Sequence, residues 1–169
     1  MSRPPPKQLT RRHLLALQAG LLVPSWLLAT PARAAAPLVL VPIVAPDSPE
    51  RDLALGTLER VFLGKPVEDS AGRRFVPFNQ PPKTRPRVLF DQVVLGMTPE
   101  EVARYWVDQR IRGKGQPPRS VPSVSLLKQV VRRFPGAIAY IATGELDGTV
   151  RALTVGGMSH NSPSYPIRR

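Results

Sequence analysis

The sequence predicts an α/β domain in which several helices pack against a small mixed sheet. Apolar, β-branched runs of strand length alternate along the chain with segments whose apolar residues recur at the spacing of one helix face. Prolines and glycines separate these segments and predict turns between them. No internal repeat is present, and the length of the chain after position 34 suits one domain with one core.

The first strand and the first helix are predicted between residues 38 and 64. Residues 38–44 are apolar and bounded by prolines, as expected of a buried strand, and a turn follows at residues 45–49. Asp52 is a candidate N-cap, and Gly64 a candidate stop, for a short amphipathic helix. The residues that this helix would bury are Leu55, Leu58, Val61 and Phe62.

Two more helices follow a second strand at residues 74–78. The proline-rich loop 80–86 leads into the second helix, which Gly96 ends. Thr98 and Glu101 have the spacing of a capping box at the start of the third helix. The apolar residues are Leu89, Phe90, Val93, Val94 and Met97 in the second helix, and Val102, Tyr105, Trp106 and Ile111 in the third.

The last third of the chain predicts one helix and two strands. After a basic loop at residues 113–122, Ser123 caps a helix with Leu127, Val130, Val131 and Phe134 on one face. Strands at residues 137–142 and 150–155 flank a turn at residues 145–148, which is a hairpin-like signal. The predicted domain spans residues 35–155, and the polar tail at residues 156–169 is expected to be loosely ordered.

Residues 1–34 have the pattern of an export signal that is removed. A basic stretch precedes a mostly apolar run at residues 14–28, and Ala32 and Ala34 match a small-residue cleavage site. The arginine pair at residues 11–12 is typical of twin-arginine export, although a general secretory signal needs only positive charge. A membrane anchor is the other alternative, but Pro24 interrupts the run, which falls short of the roughly 20 residues of a spanning helix. We expect a soluble periplasmic protein without a membrane anchor.

Charge and composition narrow the possible partners. Five basic and no acidic residues lie in the signal region, so cleavage lowers the formal net charge from +12 to +7. A basic surface favours anionic partners, but a solvated basic face without a specific ligand is equally compatible with this charge. The absence of cysteine excludes disulfides, thiolate metal sites and a lipid anchor on a cysteine.

Three spaced segments resemble the phosphate-binding proteins of bacterial ABC importers. They are residues 58–65 (LERVFLGK), 72–77 (GRRFVP) and 135–141 (PGAIAYI). In that family a helix end, a strand and a turn-strand of similar sequence occur in this order. The resemblance covers residues 38–153 and implies one lobe of a type II periplasmic-binding-protein-like fold, because the chain after position 34 leaves room for little more than one lobe.

The resemblance also implies a place for a ligand. Two-lobed members of the family hold phosphate with a GSGT loop at a helix start, where backbone N–H groups face the oxyanion. Residues 82–86 (PKTRP) occupy the matching position here, without the glycines and with only one hydroxyl. An exposed anion site remains reasonable because cations gather at a helix N-terminus, although the same cations can simply solvate a loop. The candidate ligand-binding residues are Asn79, Lys83, Thr84, Arg85 and Arg87.

The function expected from these observations is non-enzymatic binding of phosphate or a related small anion, in connection with ABC-type uptake. A ligand-free protein-interaction or sensor-adaptor module, docking on a membrane transporter or sensor protein, is the alternative. His160 is the only histidine after residue 34, so a catalytic or metal role has no evident partners and no cofactor is expected. Nucleic acid is not expected either, because no aromatic platform accompanies Arg132 and Arg133.

Overall fold

The computed structural model describes residues 37–169, so the predicted signal at residues 1–34 lies outside the described residues. Seven strands and four helices, with one short 3-10 turn at Thr143–Glu145, make up this part of the chain. In chain order they are β1 (Leu40–Val44), β2 (Asp52–Leu53), α1 (Leu55–Phe62), β3 (Val76–Asn79), α2 (Arg85–Val94), α3 (Pro99–Ile111), β4 (Arg119–Ser120), α4 (Val124–Arg133), β5 (Ala137–Ala142), β6 (Arg151–Ala152) and β7 (Thr154–Val155).

Five strands form one mixed sheet in the order β4-β3-β5-β1-β6. β1 pairs antiparallel with β5 and β6, whereas β3 is parallel to both β5 and β4. The short strands β2 and β7 form a separate parallel pair. The predicted small mixed sheet with packed helices is confirmed.

Both faces of this sheet are covered, which explains why β1 and β5 are apolar at nearly every position. Leu40 of β1 and Tyr140 of β5 face the first core, to which α1, α2 and α3 contribute. Val41 of β1 and Ile141 of β5 face the second core, which lies against α4. Neighbouring residues of a strand point to opposite faces, so one apolar strand serves two cores.

The caps predicted for α3 and α4 are confirmed, but the cap predicted for α1 is wrong. Thr98 and Glu101 form the reciprocal capping box of α3, and the Ser123 side chain accepts a hydrogen bond from the Leu126 N–H. Ala54, not Asp52, precedes α1. Asp52 lies in β2, where its carboxylate accepts hydrogen bonds from the Thr154 hydroxyl and the Gly157 N–H. Pairing with a distant strand therefore takes this side chain away from the helix.

The hairpin predicted around residues 145–148 is wrong. β5 and β6 flank this segment but do not pair with each other, because β1 lies between them and pairs with both. The predicted strand at residues 150–155 is also divided, since β6 belongs to the main sheet and β7 pairs with β2. The longer, fully apolar strand β1 is a better partner for β5 than the short strand β6.

Residues 156–169 are better ordered than their composition predicts. Tyr165 and Ile167 are buried in the first core. The Leu38 N–H donates to the Arg169 carbonyl at 2.8 Å, and the Arg169 N–H donates to the Leu38 carbonyl at 3.0 Å. The expectation of a loose tail is therefore wrong: two apolar residues and a backbone pairing hold it. The expected burial of Ile111 is also wrong, because this residue ends α3 and is 80% exposed.

Candidate anion-binding groove

A groove of about 920 Å³ lies between the start of α2, one side of α3 and the loop that leads into β4. Four cationic and two acidic side chains line it together with apolar and proline residues. We call it the anion groove. Its charged lining residues are Lys83, Arg87, Asp91, Glu100, Arg110 and Arg119.

The structure brings two of the five predicted ligand residues into this groove. Lys83 and Arg87 line it, whereas Asn79, Thr84 and Arg85 are not among its lining residues. Pro82 and Lys83 are exposed, so the loop before α2 is open to solvent. The loop is therefore accessible to a ligand, but only part of the predicted set faces one common space.

Lys83 has an unusual backbone conformation. Its φ of 67° makes it the only residue other than glycine with a positive φ within residues 37–169. Left-handed backbone costs a residue with a side chain about 1–2 kcal/mol. Such strain persists only where the surrounding structure imposes it, and it is concentrated at binding and catalytic sites. Lys83 is thus held at the groove edge against its local preference.

Arg87 is tied to a buried carboxylate. Its Nε lies 2.8 Å from both carboxylate oxygens of Asp91, one helical turn further along α2. The side chains of Arg87 and Asp91 are only 13% and 2% exposed. Burial raises the pKa of Asp91, and this effect outweighs the opposing attraction of the Arg87 guanidinium. Arg87 is a held, oriented cation rather than a mobile surface side chain.

The two Nη groups of Arg87 remain available for an acceptor. Its only side-chain hydrogen bonds to described residues run from Nε to Asp91. Arginine carries five N–H donors in a planar fork, so four are left over. Arg87 also lines the anion groove, and an arginine with free donors can bind two oxygens of one oxyanion.

Asn79 has a structural partner instead of a place in the groove. It is buried, and its Oδ1 accepts a 2.6 Å hydrogen bond from the Tyr140 hydroxyl. The neighbouring Gln80 side chain donates to the Tyr140 carbonyl at 3.0 Å. Burial raises the pKa of Tyr140, which keeps its hydroxyl protonated and able to donate. Asn79 thus anchors β3 to β5.

Thr84 precedes α2 but does not cap it with its side chain. Its hydroxyl donates to the Pro81 carbonyl at 2.9 Å, within its own loop. The first backbone donors of a helix have no intrahelical acceptor, and Pro86 in the first turn has no N–H at all. The N–H groups of Arg85 and Arg87 are consequently the donors that this helix start retains.

Sequence reasoning missed Arg110 and Arg119. Arg110 lies in the last turn of α3, and Arg119 begins β4, so both are remote from Lys83 along the chain. The basic composition of residues 113–122 was the available signal, but it did not indicate which side of the loop faces α2. The packing of α3 beside α2 brings Arg110 to the same groove as Lys83, and the pairing of β4 with β3 brings Arg119 there.

The described part of the chain contains neither a cluster of metal ligands nor a helix that could cross a membrane. Residues 37–169 contain no group of three or more histidine, cysteine, aspartate or glutamate side chains that could hold a metal ion. None of the helices α1–α4 has the length and apolar character required to cross a bilayer.

The fold is similar to those of solved phosphate receptors. An ABC-type phosphate transport receptor from Vibrio cholerae matches with a TM-score of 0.62 and 16% identity, over 79% of this chain and 54% of that chain. A putative phosphate ABC transporter substrate-binding protein from Clostridium perfringens, solved with bound phosphate, matches with a TM-score of 0.61 and 21% identity, over 79% and 53%. PstS from Borrelia burgdorferi gives 0.61 and 16%, over 79% and 55%.

No protein-family model matches the sequence, and no curated protein sequence matches it. The identities to the solved receptors are low enough that the similarity concerns the fold. The chain spans about half the length of these receptors. Residues 37–169 therefore have the fold of one lobe of the phosphate-binding receptors of ABC transporters.

Proposed function

We propose that this chain is a solute-binding module that holds phosphate or a related small oxyanion in the anion groove. The observation that carries the proposal is the convergence of four cations from three separate segments on one groove. The similarity in fold to phosphate receptors, one of them solved with bound phosphate, supports the same ligand class.

Arg87 is the central contact in this proposal. Its guanidinium is oriented by Asp91 and keeps its Nη donors free, so it can bind two oxygens of one anion. Lys83 and Arg110 supply further positive charge, and the N-terminus of α2 adds the partial positive charge of a helix start. The groove is open to solvent on one side, which favours modest affinity.

The proposal places the protein outside the cytoplasm, where it would deliver the anion to a membrane transporter of the ABC type. The export pattern at residues 1–34 supports this location. The names of the structurally similar receptors support the transporter partner. Binding without chemical conversion of the ligand, and without a cofactor, is part of the proposal.

Isothermal titration of the purified protein with phosphate, sulfate and chloride tests this function. We expect heat of binding with phosphate that falls as the salt concentration rises. Arg110→Gln is expected to weaken binding about fivefold, because it removes one groove cation. Arg104→Gln is the matched control: Arg104 is an exposed cation of the same helix that does not line the groove.

Two results would contradict the proposal. The first is the absence of heat with any of the three anions, which is what a ligand-free adaptor predicts. The second is an equal loss of affinity in Arg104→Gln and Arg110→Gln, which would show binding to general surface charge rather than to the groove.

A further inference from the structure

A second groove, of about 760 Å³, lies on the other side of the loop at residues 114–122. It runs between β3, this loop and α4, and its lining is mainly apolar. We call it the apolar groove. The large apolar side chains that line it without being fully buried are Val76, Phe78, Leu126, Val130 and Phe134.

Exposed apolar side chains are concentrated in this groove. Five large hydrophobic residues are exposed within the described chain, and three of them line it: Val76 at 46%, Leu126 at 41% and Phe134 at 57%. The ring of Phe134 lies 6.4 Å from that of Phe78, measured between centroids. Single exposed apolar residues need no explanation, but a contiguous set on a soluble protein marks an interaction surface.

The walls of the groove offer little backbone for strand addition, since β3 is already paired on both sides and the edge strand β4 is only two residues long. Pro77 has no N–H to donate, and the Asn79 carbonyl already accepts the Val121 N–H at 2.8 Å. Pro117 and Pro118 stiffen the loop on the opposite side. A partner must therefore bind through its side chains, and an amphipathic helix laid into a groove is the common structure that does so.

The charges at the groove determine which helix fits. All of its ionisable lining residues are cationic: Arg74, Lys114 and Arg119. A second copy of this chain, with a formal net charge of +12, or of +7 without residues 1–34, would be repelled. Residues 1–34 carry five basic and no acidic residues, so they too would meet like charge.

We propose that the apolar groove binds an acidic amphipathic helix of a partner protein. The apolar face of that helix packs on Leu126 and Phe134, and its carboxylates meet Arg74 and Lys114. This site is distinct from the proposed anion site, although residues 116–120, which include Arg119, line both grooves. For that reason the tests use residues that line only one of them.

Fluorescence anisotropy with a synthetic peptide tests the proposal on the full chain. The probe is a labelled helical peptide with leucines at positions i, i+3, i+4 and i+7 and glutamates on the rim. We expect saturable binding, weakened about tenfold or more by Phe134→Ser and, separately, by Leu126→Ser. Arg74→Gln is expected to weaken binding and to reduce its dependence on salt.

Two control variants distinguish peptide binding in the apolar groove from nonspecific hydrophobic binding and from binding in the anion groove. Ile111→Ser removes a side chain that is 80% exposed and lies outside the apolar groove, so it is expected to leave the affinity unchanged. Arg110→Gln, which lies only in the anion groove, is expected to have no effect on the peptide. Thermal unfolding verifies that each variant is folded.

Several outcomes would overturn the proposal. These are equal binding of a peptide whose glutamates are replaced by lysine, equal loss of affinity in Ile111→Ser and Phe134→Ser, and no binding at all. Sedimentation that shows a dimer dispersed by Phe134→Ser would identify a second copy as the occupant. Peptide binding only after removal of residues 1–34 would identify that segment instead.

Discussion

The Nε atom of Arg87 lies 2.8 Å from both carboxylate oxygens of Asp91, and both side chains are largely removed from solvent. The pair lies where α2 lines the anion groove, so it connects the stability of the domain with the orientation of the proposed anion contact. Buried pairs of this kind are costly to break, because removing one partner leaves the other charge uncompensated.

Asp91→Asn is expected to lower the free energy of unfolding by about 3 kcal/mol, since it leaves the Arg87 guanidinium buried without an anionic partner. Urea unfolding at neutral pH measures this change. Asp108→Asn is the matched control, because Asp108 pairs with Arg112 at the same 2.8 Å and the same i,i+4 spacing but with both side chains exposed. We expect a change below about 0.5 kcal/mol for the control. Similar losses in both variants would contradict the importance of burial.

Lys83→Gly is expected to stabilise the fold while weakening anion binding. Glycine adopts the left-handed backbone conformation of this position without strain. The relief of this strain outweighs the larger conformational entropy that glycine loses on folding, so the expected net gain in stability is about 0.5 kcal/mol. Lys83→Gln separates the two effects, since it removes the charge and keeps the strain. Chemical unfolding and anion titration of both variants measure them. A loss of stability in Lys83→Gly would show that the Lys83 side chain makes a compensating contact.

Tyr165→Phe is expected to keep or raise stability by up to about 1 kcal/mol. The Tyr165 hydroxyl is buried and has no hydrogen-bond partner among the described residues, so its removal takes away a desolvated polar group. Tyr140→Phe is the contrasting variant, because the Tyr140 hydroxyl donates to Asn79 and its loss leaves the buried Oδ1 unsatisfied. That variant is expected to lose about 1–2 kcal/mol. Thermal unfolding compares the two, and destabilisation of Tyr165→Phe would reveal an acceptor.

Gly136→Ala is expected to destabilise the protein by several kcal/mol. An added Cβ would lie 2.6 Å from the Arg74 carbonyl oxygen, and the φ of 80° is unfavourable for alanine. Gly72→Ala shares a positive φ of 75° but has open space around the added atom, so it isolates the backbone cost of about 1–2 kcal/mol. Equal effects of the two substitutions on the unfolding midpoint would contradict the predicted clash.

The contact between Lys128 and Asp147 is expected to contribute stability that acid removes. Hydrogen bonds from Lys128 and Thr149 lower the pKa of Asp147 to about 2. Because an unfolded aspartate titrates near pH 3.9, the contribution is complete above about pH 4 and is lost as the pH falls through about 2. The difference in unfolding free energy between the wild type and Asp147→Asn is therefore expected to be constant near neutral pH and to shrink in acid. A difference that does not change with pH would contradict this account.

Much of the fold follows from local residue patterns. The four helices and the strands β1, β3 and β5 lie where periodicity, prolines and capping residues predict them, because these signals act over a few neighbouring residues. The errors concern long-range pairing. The local sequence predicts Asp52 as a helix cap and residues 145–148 as a hairpin turn. Which strands pair, however, depends on which strand edges elsewhere in the fold are unpaired.

In the proposed site, too, some features follow from the local sequence and others depend on tertiary packing. The sequence by itself determined that cations gather around the start of α2 and that the chain resembles a receptor for phosphate, because each of these signals lies within short runs of neighbouring residues. Only the tertiary structure decided that Lys83 and Arg87 share a groove with Arg110 and Arg119, that Asn79 is held by Tyr140, and that the tail joins the core. These relations depend on how helices pack against the sheet, and packing joins residues that no local pattern connects.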